Sequence, residues 1–200
     1  MISESLDFEH MNMHLLDDSQ PSIYFNSISD KLLNHKPFDL LYKLKKTEQS
    51  PIHHPEGSVW NHTMLVVDAA ASVKKKSKNP RAFMWAALLH DIGKPDTTRN
   101  RKGKITSYDH DKVGKDKATE FLSCFTLDLQ FIREVTSLVR WHMQVLFVMN
   151  HLPFADIEGM KREVELSEIA LLGLCDRLGR LGVDRITEER NMEAFITKIE

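Results

Sequence analysis

Glycine and proline are scarce in this chain of 200 residues, at eight and seven copies. Strand-like alternation of apolar and polar residues is nearly absent. Together these absences exclude a turn-rich, sheet-built fold and leave long helix-period runs, so an all-α protein is expected. There are only two cysteines, Cys124 and Cys175, and no CxxC spacing, which excludes a disulfide scaffold. Both fall in helical apolar patterns and read as buried, reduced thiols, as suits a cytoplasmic protein. The formal net charge is −2, so no large basic field advertises nucleic acid, and a nucleic-acid-binding module is disfavoured. No apolar run approaches the ~20 residues of a membrane helix, and no basic start followed by an apolar run marks a signal peptide. Hydrophobic content is 42%, ordinary for a globular chain of one domain and too high for disorder.

The punctuation divides the chain. Residues 1–36 read as a polar extension of one or two short helices packed on the outside, and 37–200 as the main body. Pro37 starts a short amphipathic helix. Residues 47–57 (TEQSPIHHPEG) form a Pro/Gly-marked loop, and Ser58 is a good N-cap for a helix running to about Ser77. The lysines of 74–78 (KKKSK) suit a solvated helix end. The next helix starts near Pro80 and ends around Asp91, with Gly93 and Pro95 as stop signals. Residues 95–106 read as a charged loop. Helices are then expected over 108–124, 128–142, 144–150, 166–181 and 184–199.

Five of these helices carry metal-ligand-type side chains on their apolar faces. Val59, His62, Val66, Ala69 and Val73 share one stripe at three- and four-residue steps. Phe83, Ala86, Leu89 and His90 share another, with Asp91 adjacent. His110 aligns with Gly114, Ala118, Phe121 and Phe125. His142 aligns with Val135, Leu138 and Val139, and Asp176 with Ile169, Leu172, Gly173 and Gly179. One inward histidine is commonly a satisfied core residue. Several unpartnered imidazoles and carboxylates in one core would be badly destabilising. A shared divalent metal removes that penalty. The small residues beside His110 and Asp176 would let helices approach closely.

The stretch LLHDIGKP (88–95) ends a helix on adjacent His90 and Asp91, then turns at Gly93. A helix end lets neighbouring side chains converge as mid-helix positions cannot. Imidazole with carboxylate is a mixed N/O donor set. It suits Fe, Mn, Co, Ni, Zn or Mg and argues against a thiolate-type structural zinc site. Lys94, just past the pair, either reaches a phosphate oxygen or is a solvated loop lysine.

The order His62, His90-Asp91, Asp176 resembles the motif of the HD-domain metal-dependent phosphohydrolases. The closer likeness is to the HD domain of CCA-adding tRNA nucleotidyltransferases. It is carried by HPEGSVWNHTMLVVDAA (54–70), LLHDIGKP, YDHDKVG (108–114), SLVRWHM (137–143) and LCDRLGR (174–180). It covers roughly residues 47–182. No Gly-Ser turn with a paired Asp marks a nucleotidyltransferase region, so the hydrolase domain is expected to stand alone and CCA addition does not carry over.

The resemblance implies an HD-type helical bundle around a metal pocket, with His62, His90, Asp91 and Asp176 as ligands of one divalent ion. His110 and His142 match the positions that hold a second ion in two-metal members, where the Asp bridges, so one or two ions are open. A divalent metal makes hydroxide available at pH 7. Asp91 and Lys94 would carry the catalytic work, Lys94 by neutralising charge on the phosphoryl oxygens. Arg177 and Arg180 either hold a substrate phosphate or form surface ion pairs. Asp111 either orients a neighbouring imidazole or is a first-turn helix carboxylate. The expected substrate is a small, nucleotide-like phosphoester: a 2′,3′-cyclic nucleotide, a nucleoside monophosphate or a dinucleoside polyphosphate. A di-iron oxygenase of the same fold and a non-catalytic nucleotide-sensing module are the alternatives.

Overall fold

The computed structural model describes residues 2–28 and 30–199. It is all-α apart from one small hairpin. Helices α1 (Ile2–Asp17), α2 (Pro21–Ser27), α3 (Asp30–Leu33) and α4 (Asp39–Lys46) come first. They are followed by α5 (Val59–Val73), α6 (Pro80–Leu89) and the single turn α7 (Lys94–Thr97). Strands β1 (Arg99–Arg101) and β2 (Lys104–Thr106) precede α8 (His110–Ser123), α9 (Leu129–Trp141) and α10 (Gln144–Met149). Helices α11 (Ile157–Glu163), α12 (Leu166–Leu178) and α13 (Arg185–Ile199) complete the chain. Among the described residues no helix is long and apolar enough to cross a membrane.

Helix α6 is the axis of the bundle. Its residues Ala82 to Leu89 are all buried, as expected of a helix that is apolar all round. Asn79 caps its first turn and Pro80 occupies the first helical position, where its missing N–H costs nothing. Helices α1, α5, α9 and α12 pack around it. Ser58 caps α5 as expected, accepting from the Asn61 amide at 3.3 Å.

Several expectations are corrected. The N-terminal segment contributes to the core more than a polar extension would. Phe8, Met11 and Leu15 fall at helical spacing and are fully or almost fully buried, with Phe25 and Leu33, in the same core as the rest. Phe8 stacks on Trp85 and Phe125 at ring distances of 4.5 and 4.6 Å. Its acidic and polar neighbours masked this stripe, because they occupy the outer face of the same helix. Part of the charged loop is the hairpin β1–β2. Lys102 and Gly103 both take positive φ there, the geometry of a type I′ turn. Its strands are mostly exposed and charged, so no alternation announced them. The seven-residue helix α11, capped by Asp156, was also unanticipated. Cys175 is buried, but Cys124 is exposed just past the end of α8. Within the lysine run, Lys74 donates to the carbonyls of Leu15 and Asp18 at 3.3 and 2.9 Å. It thereby satisfies acceptors at the end of α1.

Close helix approaches depend on absent side chains. A Cβ on Gly93 would lie 2.1 Å from the His110 carbonyl oxygen and 2.6 Å from the Gly114 nitrogen. One on Gly179 would lie 2.3 Å from Val66 Cγ2 and 3.3 Å from His62 Cε1. Gly93→Ala is therefore expected to force the His90-Asp91 turn away from α8. Overpacking of this kind costs up to roughly 3 kcal/mol, a fall in Tm of roughly 6–12 °C for a chain of this length. Thermal unfolding of the metal-free variant checks it, and an unchanged Tm would mean that α8 moves aside freely.

Candidate metal centre

Five helix ends converge on one point. His62 lies in the first turn of α5, His90 is the C-cap of α6, and His110 opens α8. His142 is the C-cap of α9 and Asp176 sits in the last turn of α12. Backbone carbonyls anchor three of the imidazoles: His90 and His142 use those left unsatisfied at helix C-termini, and His110 uses one in the loop before α8. The Nδ1 atoms of His90, His110 and His142 lie 2.9, 2.7 and 2.7 Å from the carbonyl oxygens of Ala87, Ser107 and Val139. A carbonyl only accepts, so each Nδ1 carries the proton and each Nε2 is left with a lone pair.

Those Nε2 atoms face Asp91. His90 Nε2 is 3.2 Å and His62 Nε2 4.0 Å from Asp91 Oδ2. His110 Nε2 is 3.3 Å and His142 Nε2 3.8 Å from the other oxygen, Oδ1. His62 Nε2 also lies 2.9 Å from Asp176 Oδ1. The carboxylate of Asp91 thus divides its two oxygens between two groups of histidines. Both groups, His62–His90–Asp91 and Asp91–His110–His142, have donor atoms close enough together to hold an ion.

The donor set fits a divalent cation. His90 Nε2 and Asp91 Oδ2 are buried and make no hydrogen bond, a costly state unless something else satisfies them. His110 Nε2 and His142 Nε2 lie 3.2 Å apart. With both Nδ1 atoms protonated, two lone pairs face each other there, and a cation between them removes the repulsion. Neither cysteine belongs to either group, so the set is nitrogen and oxygen throughout.

Charge is arranged to match. Burial pushes the Asp91 carboxyl up, but the Lys94 ammonium beside it holds it well below the usual carboxylate range. Burial likewise opposes the ionised form of Asp176, and Arg180 and His62 overcome it. Burial, with His110 and His90 beside it, depresses His142 to about 3. His142 is therefore neutral and ready to donate a lone pair at physiological pH.

Lys94 is neither a solvated loop residue nor remote from the metal ligands. It is 8% exposed, and its Nζ lies 2.7 Å from Asp91 Oδ2, forming an ion pair without the alignment of a hydrogen bond. It donates to Gln49 Oε1 at 2.6 Å. The short turn α7 folds the lysine back over the carboxylate three residues earlier. Arg180 reaches Asp176 Oδ2 at 3.5 Å, while its Nε is buried and unpartnered. Arg177 is held by Glu188 of α13 through two contacts of 3.2 Å. Asp111 orients no imidazole; it pairs with Arg140 of α9.

Many of these groups, though not His62 or His90, border one cavity of about 850 Å³. Asp91, His110, His142 and Asp176 line it, with Lys94, Arg140, Arg177 and Arg180. Its lining also includes the apolar Met143, Leu146, Phe147, Leu152 and Phe154. Phe147 and Phe154 meet edge to face at 5.6 Å.

Sequence reasoning missed three members of the site. Gln49 holds Lys94, and Glu56 and His54 stand behind His62. All three belong to the 47–57 loop, where no periodicity reports orientation. The signal available was two histidines and a glutamate crowded into HHPEG.

Comparison with known proteins agrees with this architecture. The chain is similar to three proteins named multifunctional CCA protein. The first, from Actinobacillus pleuropneumoniae serotype 5b (strain L20), is 39% identical over 83 residues, 40% of this chain and 20% of that protein. The second, from Methylococcus capsulatus (strain ATCC 33009 / NCIMB 11132 / Bath), is 28% identical over 171 residues, 83% of this chain and 34% of its own length. The third, from Halorhodospira halophila (strain DSM 244 / SL1), is 30% identical over 141 residues, 67% of this chain and 32% of its own. The chain spans about a third or less of these curated relatives. The pattern described as HD domain matches residues 59–181, from the first residue of α5 to just beyond α12. With more than half its length so matched and its His and Asp side chains gathered at one centre, the chain belongs to the HD domain family of metal-dependent phosphohydrolases, related to the HD domain of CCA proteins.

Proposed function

We propose that this chain hydrolyses a small, nucleotide-like phosphoester with divalent metal that the His/Asp cluster would hold. The observation that carries the reading is the cavity itself. Its lining combines the His/Asp cluster with the cations Lys94, Arg140 and Arg180 and with apolar, aromatic side chains. An anionic head and an apolar, planar body are the complement of such a lining. A cavity of about 850 Å³ lies in the size range of sites for whole small molecules. The buried ammonium of Lys94 favours an anionic substrate, and so a phosphohydrolase over an oxygenase or a non-catalytic sensor.

His62, His90, Asp91 and Asp176 would hold one ion; Asp91, His110 and His142 would hold the second. A divalent ion supplies charge for the phosphoryl oxygens and makes water a nucleophile near neutral pH. The protein supplies the rest. Carbonyl acceptors fix the His90, His110 and His142 tautomers with Nε2 lone pairs inward. Lys94 neutralises phosphoryl charge as it redistributes during bond cleavage. Arg180, whose buried Nε lacks a partner, binds a phosphate oxygen. Phe154, 61% exposed at the rim, covers a base-like ring.

The test is metal analysis of protein purified without chelator, then assay against 2′,3′-cyclic nucleotides, nucleoside monophosphates and dinucleoside polyphosphates. Chelator-sensitive release of phosphate or opening of the cyclic ester is expected for at least one class. No hydrolysis of any class by metal-loaded protein would overturn the reading. Stoichiometry tests the second ion separately: two equivalents are expected at saturation, falling to one in the His110→Ala/His142→Ala double variant. One equivalent in both proteins would leave a single-metal site.

A further inference from the structure

His62 differs from the other three histidines of the centre. Those three rest their Nδ1 atoms against neutral backbone carbonyls. His62 Nδ1 lies 2.9 Å from Glu56 Oε1, and 3.2 Å from the Gly179 carbonyl oxygen. The Glu56 side chain is only 2% exposed. The same Oε1 stands 2.8 Å from His54 Nδ1, and Oε2 is buried with no hydrogen-bond partner. The backbone around Glu56 is anchored as well. Its carbonyl accepts from Asn61 Nδ2 at 3.0 Å, tying the loop end to the first turn of α5.

A buried carboxylate is costly unless its oxygens are satisfied. Here two imidazole nitrogens converge on one of them, His54 Nδ1 in a hydrogen bond and His62 Nδ1 in an ion pair without hydrogen-bond alignment, its aligned acceptor being the Gly179 carbonyl. The three side chains are close enough together to hold an ion themselves. Their separations, however, suit hydrogen bonds, and His62 already turns its other nitrogen toward Asp176 at 2.9 Å. A carboxylate behind an imidazole does two things. It fixes the proton on the near nitrogen, and it makes the far nitrogen a stronger donor.

We propose that Glu56 is a positioning residue for the metal centre: its buried carboxylate holds the His62 Nδ1 proton and so presents a strengthened Nε2 to the ion shared with His90, Asp91 and Asp176. This rests on the metal-centre reading above. Among the described residues the other three imidazoles set Nδ1 against backbone carbonyls, not carboxylates. The ion on the His62 side is therefore held more tightly than the one beside His110 and His142. The 47–57 loop thus supports both ends of the reaction centre, through Glu56 at the metal and through Gln49 at Lys94.

The experiment is a manganese(II) titration by calorimetry of the whole chain, wild type against Glu56→Gln and Glu56→Ala, with thermal unfolding of each metal-free protein. Gln keeps the shape and an acceptor oxygen but not the charge, so the metal-free fold is expected to survive. Loss of an outer partner of this kind weakens metal binding by about 10–100-fold. The expected result is that loss in the tighter manganese site of both variants, with a metal-free Tm for Glu56→Gln close to that of wild type. Affinity equal to wild type in both variants would overturn the role of Glu56 alone. Failure of the wild-type protein to bind manganese would overturn the metal reading and this inference with it.

Discussion

Asp91→Ala is expected to emerge from chelator-free purification with metal at background and no phosphoester turnover. Among the described residues, Asp91 is the side chain common to both histidine groups. One Asp91 oxygen faces His62 and His90, the other His110 and His142, at 3.2 to 4.0 Å. Replacement by alanine removes a donor from both groups at once, whereas Asp176 lies against His62, in one of them. The loss should also be visible without an assay. A metal that binds only the folded state stabilises it by about 2.7 kcal/mol at a hundredfold excess over its Kd. Wild-type Tm should therefore climb on metal addition while that of Asp91→Ala stays flat. Metal content undiminished in the variant would remove Asp91 from the centre.

Lys94→Ala is expected to lower turnover on the order of 10²-fold, the usual cost of removing one preorganised charge from a phosphoryl-transfer site, while metal content is retained. The lysine is not itself a metal ligand. Its ammonium lies 2.7 Å from Asp91 Oδ2, so removing it frees an oxygen for the ion and takes nothing from the donor set. The fall should appear in kcat as well as in kcat/KM, because charge on the phosphoryl oxygens shifts as the bond breaks. Steady-state kinetics on whichever ester proves active decides it. Turnover equal to wild type would leave Lys94 as a structural partner of Asp91 and Gln49, with the phosphate held elsewhere, at Arg180 or Arg140.

Helix phase carried most of what could be read beforehand. Burial is a property of a helix face, and three- and four-residue spacing records that face directly. His62, His90, His110 and His142 each followed an apolar stripe, and each is buried. The same logic failed where no period exists. Gln49, His54 and Glu56 act from a loop whose course depends on where α4 and α5 end up. It was overlooked for residues 8, 11 and 15, where the apolar stripe lies between acidic and polar neighbours. Charged pairs were legible as charges but not as partners. Asp111 finds Arg140 and Arg177 finds Glu188 because α9 and α13 pass beside them.

The sequence by itself determined the all-α class, the helix that ends on His90 and Asp91, and the inward placing of metal-ligand-type side chains. These are local matters of spacing, capping and residue type. Tertiary structure alone decided that five helix ends meet, and that one carboxylate faces two groups of histidines. It also folded Lys94 back onto that carboxylate and set a glutamate behind one imidazole. Such contacts depend on how closely one element approaches another. That approach is set by packing at positions such as Gly93 against Gly114 and Gly179 against Val66, between residues far apart in the chain.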